Sequence, residues 1–544
     1  MPSQAQLLEK QRDNDLLSIN EASKWASDYL GKKITTSNIS YLIQYAKVRK
    51  YRNDSSEIKV NKKELKEYYD KYLEKQKVWK KKLGEDLNWN LSFDSLREAE
   101  RTKHVHRLHP YKGKFIPQLV EYFLDDKTDN FKTKAFFKEG DIVLDPFMGS
   151  GTTLVQASEL GMHSIGIDIT EFNCLISKVK LDSYRTTELA DVFKDALEQT
   201  RQFSSKTFDN SFDNELKEKL SEFNKEYFPN PEFKFKVLED QINEKEYGYE
   251  KLEQFFKKNG DFLQKNGMKD KSHLLSEKQM ASFLTTWFSK RIRQELFYYI
   301  KLIQKVEKEN IKNLMKIILS RTARSCRATT HSDLATLKQP QFDTYYCHKH
   351  KKLCAPINSI LKHLQKNTYD TIERVYEFSK IRKPVFASVI HEDARKVDIF
   401  NEVQQQNPQF YNLLIKKKID GVFTSPPYVG QIDYHEQHAY AYELFEIKKE
   451  ENLEIGTLKN GQGEKAREEY IEGISNVLLN IRQFVKDNGN FFIVANDKFN
   501  LYPVIAQKSN LEIVNQFKRP VLHRTERDRQ PYAEIIFHMK KFQK

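Results

Sequence analysis

The sequence predicts an α/β fold built on a largely parallel sheet, and three observations predict it. A short apolar run at 142–144 leads into a glycine loop and then a helix. A second apolar run ends at Asp168, and a third, at 421–424, ends abruptly at Ser-Pro-Pro-Tyr. Apolar strands that alternate with helical segments are typical of α/β proteins, whose ligands bind at the carboxyl ends of the strands.

The glycine loop is the first functional signal. Only 18 glycines occur in 544 residues, yet five lie within 140–166. Glycine lets a backbone approach a ligand, and the helix expected from about Thr152 offers free N–H groups. Asp168, seventeen residues after Gly151, stands where nucleotide-binding folds hold ribose hydroxyls. No lysine follows Gly151, which excludes a Gly-Lys-Ser/Thr phosphate loop and leaves a plain Rossmann-like nucleotide loop as the alternative.

The stretch DPFMGSGTT, residues 145–153, resembles motif I of the amino-methylating DNA methyltransferases, which bind S-adenosylmethionine. The resemblance implies a Rossmann-like seven-stranded methyltransferase sheet. RLHPYKGKF, before the loop, and FASVIHED, which ends a further strand, are similar to other motifs of the family, although the family places its large insertion after the latter strand. The cofactor-binding residues implied are Asp145, Pro146, Phe147, Gly149, Ser150, Gly151, Thr152, Asp168, Asp393, Lys114 and Phe115.

The Ser-Pro-Pro-Tyr turn predicts the chemistry. An exocyclic amine of a nucleobase is a poor nucleophile, so a catalyst must hold its N–H bonds with acceptors. A Pro-Pro turn holds a carbonyl rigidly without a competing N–H, the Ser425 hydroxyl is a second acceptor, and the Tyr428 ring can stack on a base. The predicted catalytic residues are Ser425, Pro426, Pro427 and Tyr428.

This turn resembles motif IV of the same family, in which the serine form accompanies mostly cytosine N4. The resemblance implies a sequence-specific, base-flipping DNA methyltransferase of a restriction-modification system. Methylation of adenine N6 in DNA, or of an amine in RNA, stays open as an alternative. A DNA-binding regulator with a vestigial enzyme domain is disfavoured by the intact motifs.

A basic N-terminal segment predicts a nucleic-acid partner. Net charge is +14, and residues 47–82 carry 14 Lys/Arg against 6 Asp/Glu. Residues 16–60 read as two helices and a strand pair, with a Ser18/Glu21 capping box and a turn at 53–55. They resemble the winged helix-turn-helix of excisionases and mercury-resistance-type regulators, and a packing module without DNA contact is the alternative. The implied DNA-binding residues are Asn38, Tyr41, Gln44, Lys47, Arg49 and Arg52.

The predicted domains are a winged-helix module with a basic helix (1–84), the cofactor-binding half (85–185), a mainly helical insertion for target recognition (186–385) and the catalytic half (386–544). Within the insertion, Arg324 and Arg327 are expected to contact duplex DNA. The expected partners are double-stranded DNA and a restriction endonuclease encoded nearby. The recognised sequence and the oligomeric state do not follow from the sequence.

The four cysteines are too few for a disulfide scaffold, and the N-terminus lacks the apolar core of a secretory signal. We therefore expect a cytoplasmic protein without a membrane segment. Cys347, His350 and Cys354 have ligand-like spacing, and Cys326 or His331 would complete a tetrahedron. Because two clear ligand pairs are lacking, the sequence analysis predicts no metal site.

Overall fold

The computed structural model describes residues 15–542 except 32, 45, 53–56, 94–95, 97, 112, 264–281, 335–336, 432–437 and 523–529. The chain forms two compact units. The first unit comprises Met1–Glu85, Asp209–Lys278 and Ala328–Pro356, and the second, here called the sheet unit, comprises Asp86–Phe208, Gln279–Arg327 and Ile357–Lys544.

The N-terminal part of the first unit holds a small antiparallel sheet of β1 (Leu16–Ser18), β2 (Tyr51–Arg52) and β3 (Ile58–Asn61), in the order β1-β3-β2. Its helices are Ile19–Leu30, Thr36–Gln44 and Lys62–Leu83. The predicted Ser18/Glu21 capping box begins the first helix. Ile39, Leu42 and Ile43 are buried on one face of the helix Thr36–Gln44, and Ala46, just beyond its end, is also buried. The turn expected at 53–55 lies outside the described residues.

The rest of the first unit consists of the helices Ser211–Tyr227, Glu232–Leu238 and Glu244–Lys258 and the hairpin of β6 (Tyr345–Cys347) and β7 (Lys352–Cys354). Leu216, Leu220 and Phe223 recur at helical spacing and pack with Tyr346 and Leu353 in one apolar cluster. The hairpin is therefore held partly by side chains of the preceding helices.

The sheet unit contains seven strands: β4 (Ile142–Asp145), β5 (His163–Asp168), β8 (Ala387–His391), β9 (Ile419–Thr424), β10 (Val485–Ala495), β11 (Leu511–Pro520) and β12 (Ala533–Lys541). Their order is β11-β12-β10-β9-β4-β5-β8. Strands β10, β9, β4, β5 and β8 pair in parallel, and β12 is antiparallel to both of its neighbours. The predicted seven-stranded α/β sheet is confirmed, and β11 and β12 form an antiparallel pair at one end of it.

Helices cover both faces of this sheet, as its apolar residues on either side require. They are Glu98–Arg101, Pro117–Leu124, Thr152–Leu160, Glu171–Leu181, Thr186–Thr207, Phe283–Trp287, Lys290–Gln304, Glu309–Ser325, Leu361–Ser379, Ile399–Gln406, Pro408–Lys417, Ala439–Leu444, Glu464–Arg482 and Tyr502–Lys508. Short 3-10 helices lie at Trp89–Ser92, His104–Arg107, Glu451–Leu453 and Leu458–Asn460. None of the described helices has both the length and the apolar composition needed to cross a membrane.

The segment 186–385, treated from sequence as one insertion, is divided between the two units. Residues 209–278 and 328–356 belong to the first unit, and the remainder belongs to the sheet unit. The reason lies in packing, because Phe193, Leu314 and Phe378 join the same apolar cluster as Phe172 and Ile176 beside the sheet. Part of the segment is thus core of the sheet unit.

Candidate active site

The carboxyl ends of four neighbouring strands open into one cleft, which encloses about 860 Å³ including its mouth. Parallel strands bring their carboxyl ends to one edge, so loops distant in the chain meet there. The residues that these loops contribute are Gly149 and Ser150 after β4, Asp168 from β5, Asp393 after β8, and Ser425 and Pro427 after β9. The glycine loop and the Ser-Pro-Pro-Tyr turn therefore share one cleft.

The glycine loop, residues 145–151, is closely packed. Gly149 and Gly151 have φ values of +49° and +72°, which residues with a Cβ rarely adopt. A Cβ on Gly149 would lie 2.9 Å from the Tyr111 hydroxyl oxygen, and one on Gly151 would lie 2.7 Å from Oγ of Ser177. Both glycines are thus required by the protein's own packing, and Gly151 begins the helix Thr152–Leu160.

Asp168 is fixed at the base of the cleft. Its Oδ2 accepts the N–H of Gly149 at 3.0 Å, and its Oδ1 accepts the N–H of Thr170 at 2.9 Å and Nδ2 of Asn173 at 3.1 Å. Burial raises the pKa of Asp168, while these hydrogen bonds oppose the rise. The carboxylate is therefore oriented before any ligand arrives.

Asp145, expected at the cofactor, forms its hydrogen bonds within the protein. It is buried, and its carboxylate accepts the hydroxyls of Thr153 at 2.7 Å and Thr424 at 2.6 Å and the N–H of Phe147 at 3.1 Å. Neither Asp145 nor Gly151 is among the described residues that line the cleft. Because the loop residues are close neighbours in the sequence, the sequence alone did not show which side chains face a ligand and which face the core.

The remaining residues expected at the cofactor do line the cleft, namely Pro146, Phe147, Gly149, Ser150, Thr152, Asp168, Asp393, Lys114 and Phe115. Within the described part of the chain, the buried Oγ of Ser150 has no hydrogen-bond partner. A buried hydroxyl without a partner is unfavourable unless a ligand supplies one. Apolar walls, the oriented carboxylate of Asp168 and this hydroxyl suit a nucleoside with polar groups.

Asp393 and Lys114 bring charge to the cleft. Arg395 forms two-pronged hydrogen bonds to Asp393, with Nε 2.9 Å from Oδ1 and Nη2 2.8 Å from Oδ2. Burial alone would raise the pKa of Asp393, but the hydrogen bonds and charge of Arg395 lower it overall. Lys114 donates to the carbonyl of His106 at 2.7 Å, and burial lowers its pKa to about 8. Both groups thus carry charge at neutral pH.

The four predicted catalytic residues take different positions. Ser425 and Pro427 line the cleft, whereas Pro426 is buried. Tyr428 is half-buried, lies outside the described lining of the cleft, and donates its hydroxyl to Oε1 of Glu534 at 2.8 Å. Glu534 in turn pairs with Nε of Arg519 at 2.9 Å. The tyrosine ring is therefore anchored through its hydroxyl.

In the first unit, Tyr41, Gln44 and Lys47 are exposed on the helix Thr36–Gln44 and just after it. Asn38 is half-buried, and its Oδ1 accepts the N–H of Thr35 at 2.9 Å, so this side chain serves the start of the helix. The side chain of Arg52 lies outside the described residues.

Two of the predicted DNA-binding arginines, Arg49 and Arg327, have side-chain partners within the protein. Arg49 forms an ion pair with Glu239. Arg327 is buried, with its guanidinium over the ring of Tyr440, and burial lowers its pKa to about 10. Arg324 is half-buried and accepts Nε of Arg327 through its carbonyl at 2.9 Å. Burial makes Arg327 a poor DNA contact in this conformation.

The cleft also contains residues that the sequence analysis missed. Tyr111 and Asn173 line it and are hydrogen-bonded to each other at 3.2 Å. Tyr111 lies within the quoted RLHPYKGKF segment, and Asn173 lies one helical turn after Thr170, so their positions beside known motifs were the available signals. Leu453, which ends a short 3-10 helix, and the following Glu454 and Ile455 also line the cleft, and this segment carries no motif.

The chain is similar to known DNA methyltransferases. The DNA methylase family (N6_N4_Mtase) matches residues 17–179. The chain is 50% identical over 536 residues to the type II methyltransferase M.MjaII of Methanocaldococcus jannaschii, and the match covers 98% of each chain. M.MvaI of Kocuria varians is 30% identical over 21% of this chain and 24% of its own length. M2.DpnII of Streptococcus pneumoniae is 33% identical over 20% of this chain and 42% of its own length. This chain therefore belongs to the type II DNA methyltransferases of the N4/N6 amino-methylating family.

Proposed function

We propose that the protein transfers a methyl group from S-adenosylmethionine to N4 of cytosine in duplex DNA. The observation that carries the proposal is the shared cleft, in which Ser425 and Pro427 lie with Ser150 and Asp168. S-adenosylmethionine supplies a methyl group already activated by its sulfonium, so the protein needs to supply orientation and charge stabilisation.

Residues of different chemistry are available for the different parts of the cofactor. The Asp168 carboxylate accepts ribose hydroxyls, and the Ser150 hydroxyl gains the hydrogen-bond partner that it lacks within the described protein. The ammonium of Lys114 offers positive charge to a carboxylate. Phe147 and Ile169 supply apolar surface for a planar ring.

The Ser-Pro-Pro turn orients the amine of the target base. The Ser425 hydroxyl and a backbone carbonyl of the turn accept its two N–H bonds, which frees the nitrogen lone pair from the ring. These acceptors also stabilise the positive charge that develops on nitrogen during transfer. The serine at this position favours cytosine N4, because the acidic and amide forms of the motif accompany mostly adenine N6.

The base must leave the duplex to reach the cleft. Extrusion requires a few kcal/mol, and stacking on an aromatic ring returns about 1–3 kcal/mol. We assign this stacking to Tyr428, whose hydroxyl bond to Glu534 fixes the position of the ring.

The reaction is tested with labelled S-adenosylmethionine and duplexes of varied sequence, followed by digestion to nucleosides and mass spectrometry. N4-methyl-deoxycytidine is expected. N6-methyl-deoxyadenosine would overturn the choice of base while retaining the reaction. Label that enters tRNA and not DNA would make the substrate RNA, and label in neither would overturn the function.

We also propose that residues 16–60 form a winged helix-turn-helix that binds duplex DNA through Tyr41, Gln44 and Lys47. Their exposure on and just beyond one helix, and the basic charge of the following segment, support the assignment. Replacing all three by alanine should weaken duplex binding at least about tenfold in fluorescence anisotropy. Lys257→Ala, at an exposed site of the same unit, is the control, and equal affinities would contradict the assignment.

We infer further that this methylation protects DNA from a cognate restriction endonuclease, as the type II names of the relatives suggest. DNA from cells that express the protein should resist an endonuclease encoded beside it. DNA from cells that express the Ser425→Ala variant should be cleaved, and equal cleavage of both DNAs would contradict the pairing.

A further inference from the structure

A cluster of metal-ligating side chains lies in the first unit, away from the motifs used above. His331, Cys347, His350 and Cys354 each offer one ligand atom, and these four atoms lie within 4.8 Å of one another. Cys347 ends β6 and Cys354 ends β7, so the hairpin brings the two thiols together. His331 lies sixteen residues before Cys347, and of the two fourth ligands considered from sequence it is the one that the structure places beside the other three. Cys326, the other ligand considered, belongs to the sheet unit.

The distances between ligand atoms match a tetrahedral site. Zinc–sulfur and zinc–nitrogen bonds of about 2.3 and 2.05 Å at a tetrahedral angle separate sulfur from nitrogen by about 3.6 Å. The Cys347 Sγ to His331 Nδ1 distance is 3.7 Å, and the Cys354 Sγ to His350 Nδ1 distance is 3.5 Å. A disulfide between the two cysteines would not explain why a histidine nitrogen lies beside each sulfur atom.

The backbone of the hairpin turn also suits a metal ligand. The N–H of His350 points to Sγ of Cys347 at 3.4 Å, an interaction that stabilises a thiolate. Lys351 donates its N–H to the Cys347 carbonyl at 2.7 Å and has a φ of +56°, which folds the chain back toward the second cysteine. The turn thus brings the ligand atoms of Cys347 and His350 close together.

A cross-link would add to the helix packing that already holds part of this hairpin. Each hairpin strand has only three residues, and two-stranded hairpins alone are marginally stable in water. The described residues of 328–344 contain neither helix nor strand. The small buried cluster at the hairpin consists of Tyr345, Cys347 and Cys354.

We propose that His331, Cys347, His350 and Cys354 bind a structural Zn²⁺ ion that joins the irregular segment to the β6–β7 hairpin. Two thiolates and two imidazoles are a ligand set that favours zinc over harder cations. Four protein ligands leave no open position, so the ion is structural and takes no part in methyl transfer. The Tyr345 hydroxyl, 2.7 Å from Nδ1 of His331, releases that nitrogen when the metal binds. This replaces the expectation, drawn from sequence, that the chain has no metal site.

The experiment uses the full chain, purified without a histidine tag under reducing conditions and reconstituted with Zn²⁺. Elemental analysis after gel filtration should find about one zinc per chain. Cys347→Ser, Cys354→Ser, His331→Ala and His350→Ala should each lose most of it. Two matched controls should keep it: Cys326→Ser, in the sheet unit, and His348→Ala, in the same hairpin but bonded to Glu244.

A second measurement guards against variants that fail to fold. Co²⁺ replacing zinc in the wild-type protein should show tetrahedral bands with thiolate-to-cobalt charge transfer, absent after Cys347→Ser. S-adenosylmethionine affinity of the variants should be unchanged, because the cleft is formed by the sheet unit. Absence of zinc after reconstitution, equal zinc in ligand and control variants, or a Cys347–Cys354 disulfide in the reduced preparation would overturn the proposal.

Discussion

The hydroxyl of Thr424 donates a hydrogen bond to Oδ1 of Asp145 over 2.6 Å. Thr424 is the last residue of β9, and Asp145 is the last residue of β4. One buried bond therefore joins the strand before the Ser-Pro-Pro-Tyr turn to the strand before the glycine loop. This hydrogen bond fixes the distance between the two loops at the residues where they leave their strands.

Removing this bond should destabilise the protein and slow the reaction. Thr424→Val deletes a donor and leaves the buried Asp145 carboxylate short of a partner, so unfolding free energy should fall by about 1–3 kcal/mol. Turnover should also fall, because the two loops lose a shared anchor. Chemical denaturation and methylation assays measure both. In the control Thr368→Val, the lost hydroxyl bonds only a helical carbonyl, and a loss as large there would contradict the assignment.

The buried Asp145 carboxyl predicts a pH dependence of stability. Burial raises its pKa from 3.8 to about 6, although the hydroxyls of Thr424 and Thr153 oppose the rise. The folded state then holds the proton more tightly than the unfolded chain, so this group's contribution declines as pH rises from about 4 to 6. Asparagine does not titrate. The stability of Asp145→Asn relative to wild type should therefore increase over this range, by up to about 3 kcal/mol. A flat difference in unfolding free energy against pH would contradict the burial argument.

Asp168 should determine cofactor affinity. Asp168→Ala removes the acceptor proposed for ribose hydroxyls and also frees the N–H of Gly149, so affinity should fall about 10- to 100-fold. Isothermal titration with S-adenosylmethionine measures the change. Glu171→Gln removes a nearby exposed carboxylate outside the described lining and should bind normally. Unchanged affinity of Asp168→Ala would exclude the ribose assignment.

Ser425 should affect turnover and not cofactor binding. Ser425→Ala removes one oriented acceptor for the amine, and such groups contribute about 100-fold to turnover. The dissociation constant for S-adenosylmethionine should stay within about twofold of wild type, since the proposed cofactor contacts remain. Ser475→Ala deletes a buried hydroxyl outside the described lining and is the control. A variant at Ser425 with normal turnover would exclude the hydroxyl as an acceptor.

Two substitutions of Tyr428 distinguish the contribution of its ring to turnover from that of its hydroxyl. Tyr428→Phe keeps the stacking surface but leaves Glu534 without one partner, so stability should fall by about 1 kcal/mol and turnover by less than tenfold. Tyr428→Ala should lower turnover by at least another tenfold, because stacking is lost. Burial, with Glu534 adding to it, raises the Tyr428 pKa well above its usual value, so the ring stays neutral in assays at pH 8–9. Equal turnover of Phe and Ala variants would exclude stacking.

Short sequence patterns predicted much of the candidate site. The glycine loop, Asp168 and the Ser-Pro-Pro-Tyr turn each depend on residues close in sequence, and the strand that ends before each one is set by an apolar run. Asp393 lines the cleft although the large helical segment precedes its strand, because β8 pairs with β5. The Arg395 pair on Asp393, two residues away, was not foreseen.

By itself the sequence determined the α/β class, the loops that follow its apolar strands and the N-terminal helices, because apolar periodicity, glycine and proline act over a few residues. The number of strands followed from the family resemblance. Only the tertiary structure decided which side chains face the cleft, the core or each other. The Asp145 carboxylate accepts a hydrogen bond from Thr424, and Arg49 pairs with Glu239, 190 residues away in the chain. His331 lies beside Cys347 and Cys354. Such pairings arise from packing between elements far apart in the chain, which no local pattern encodes.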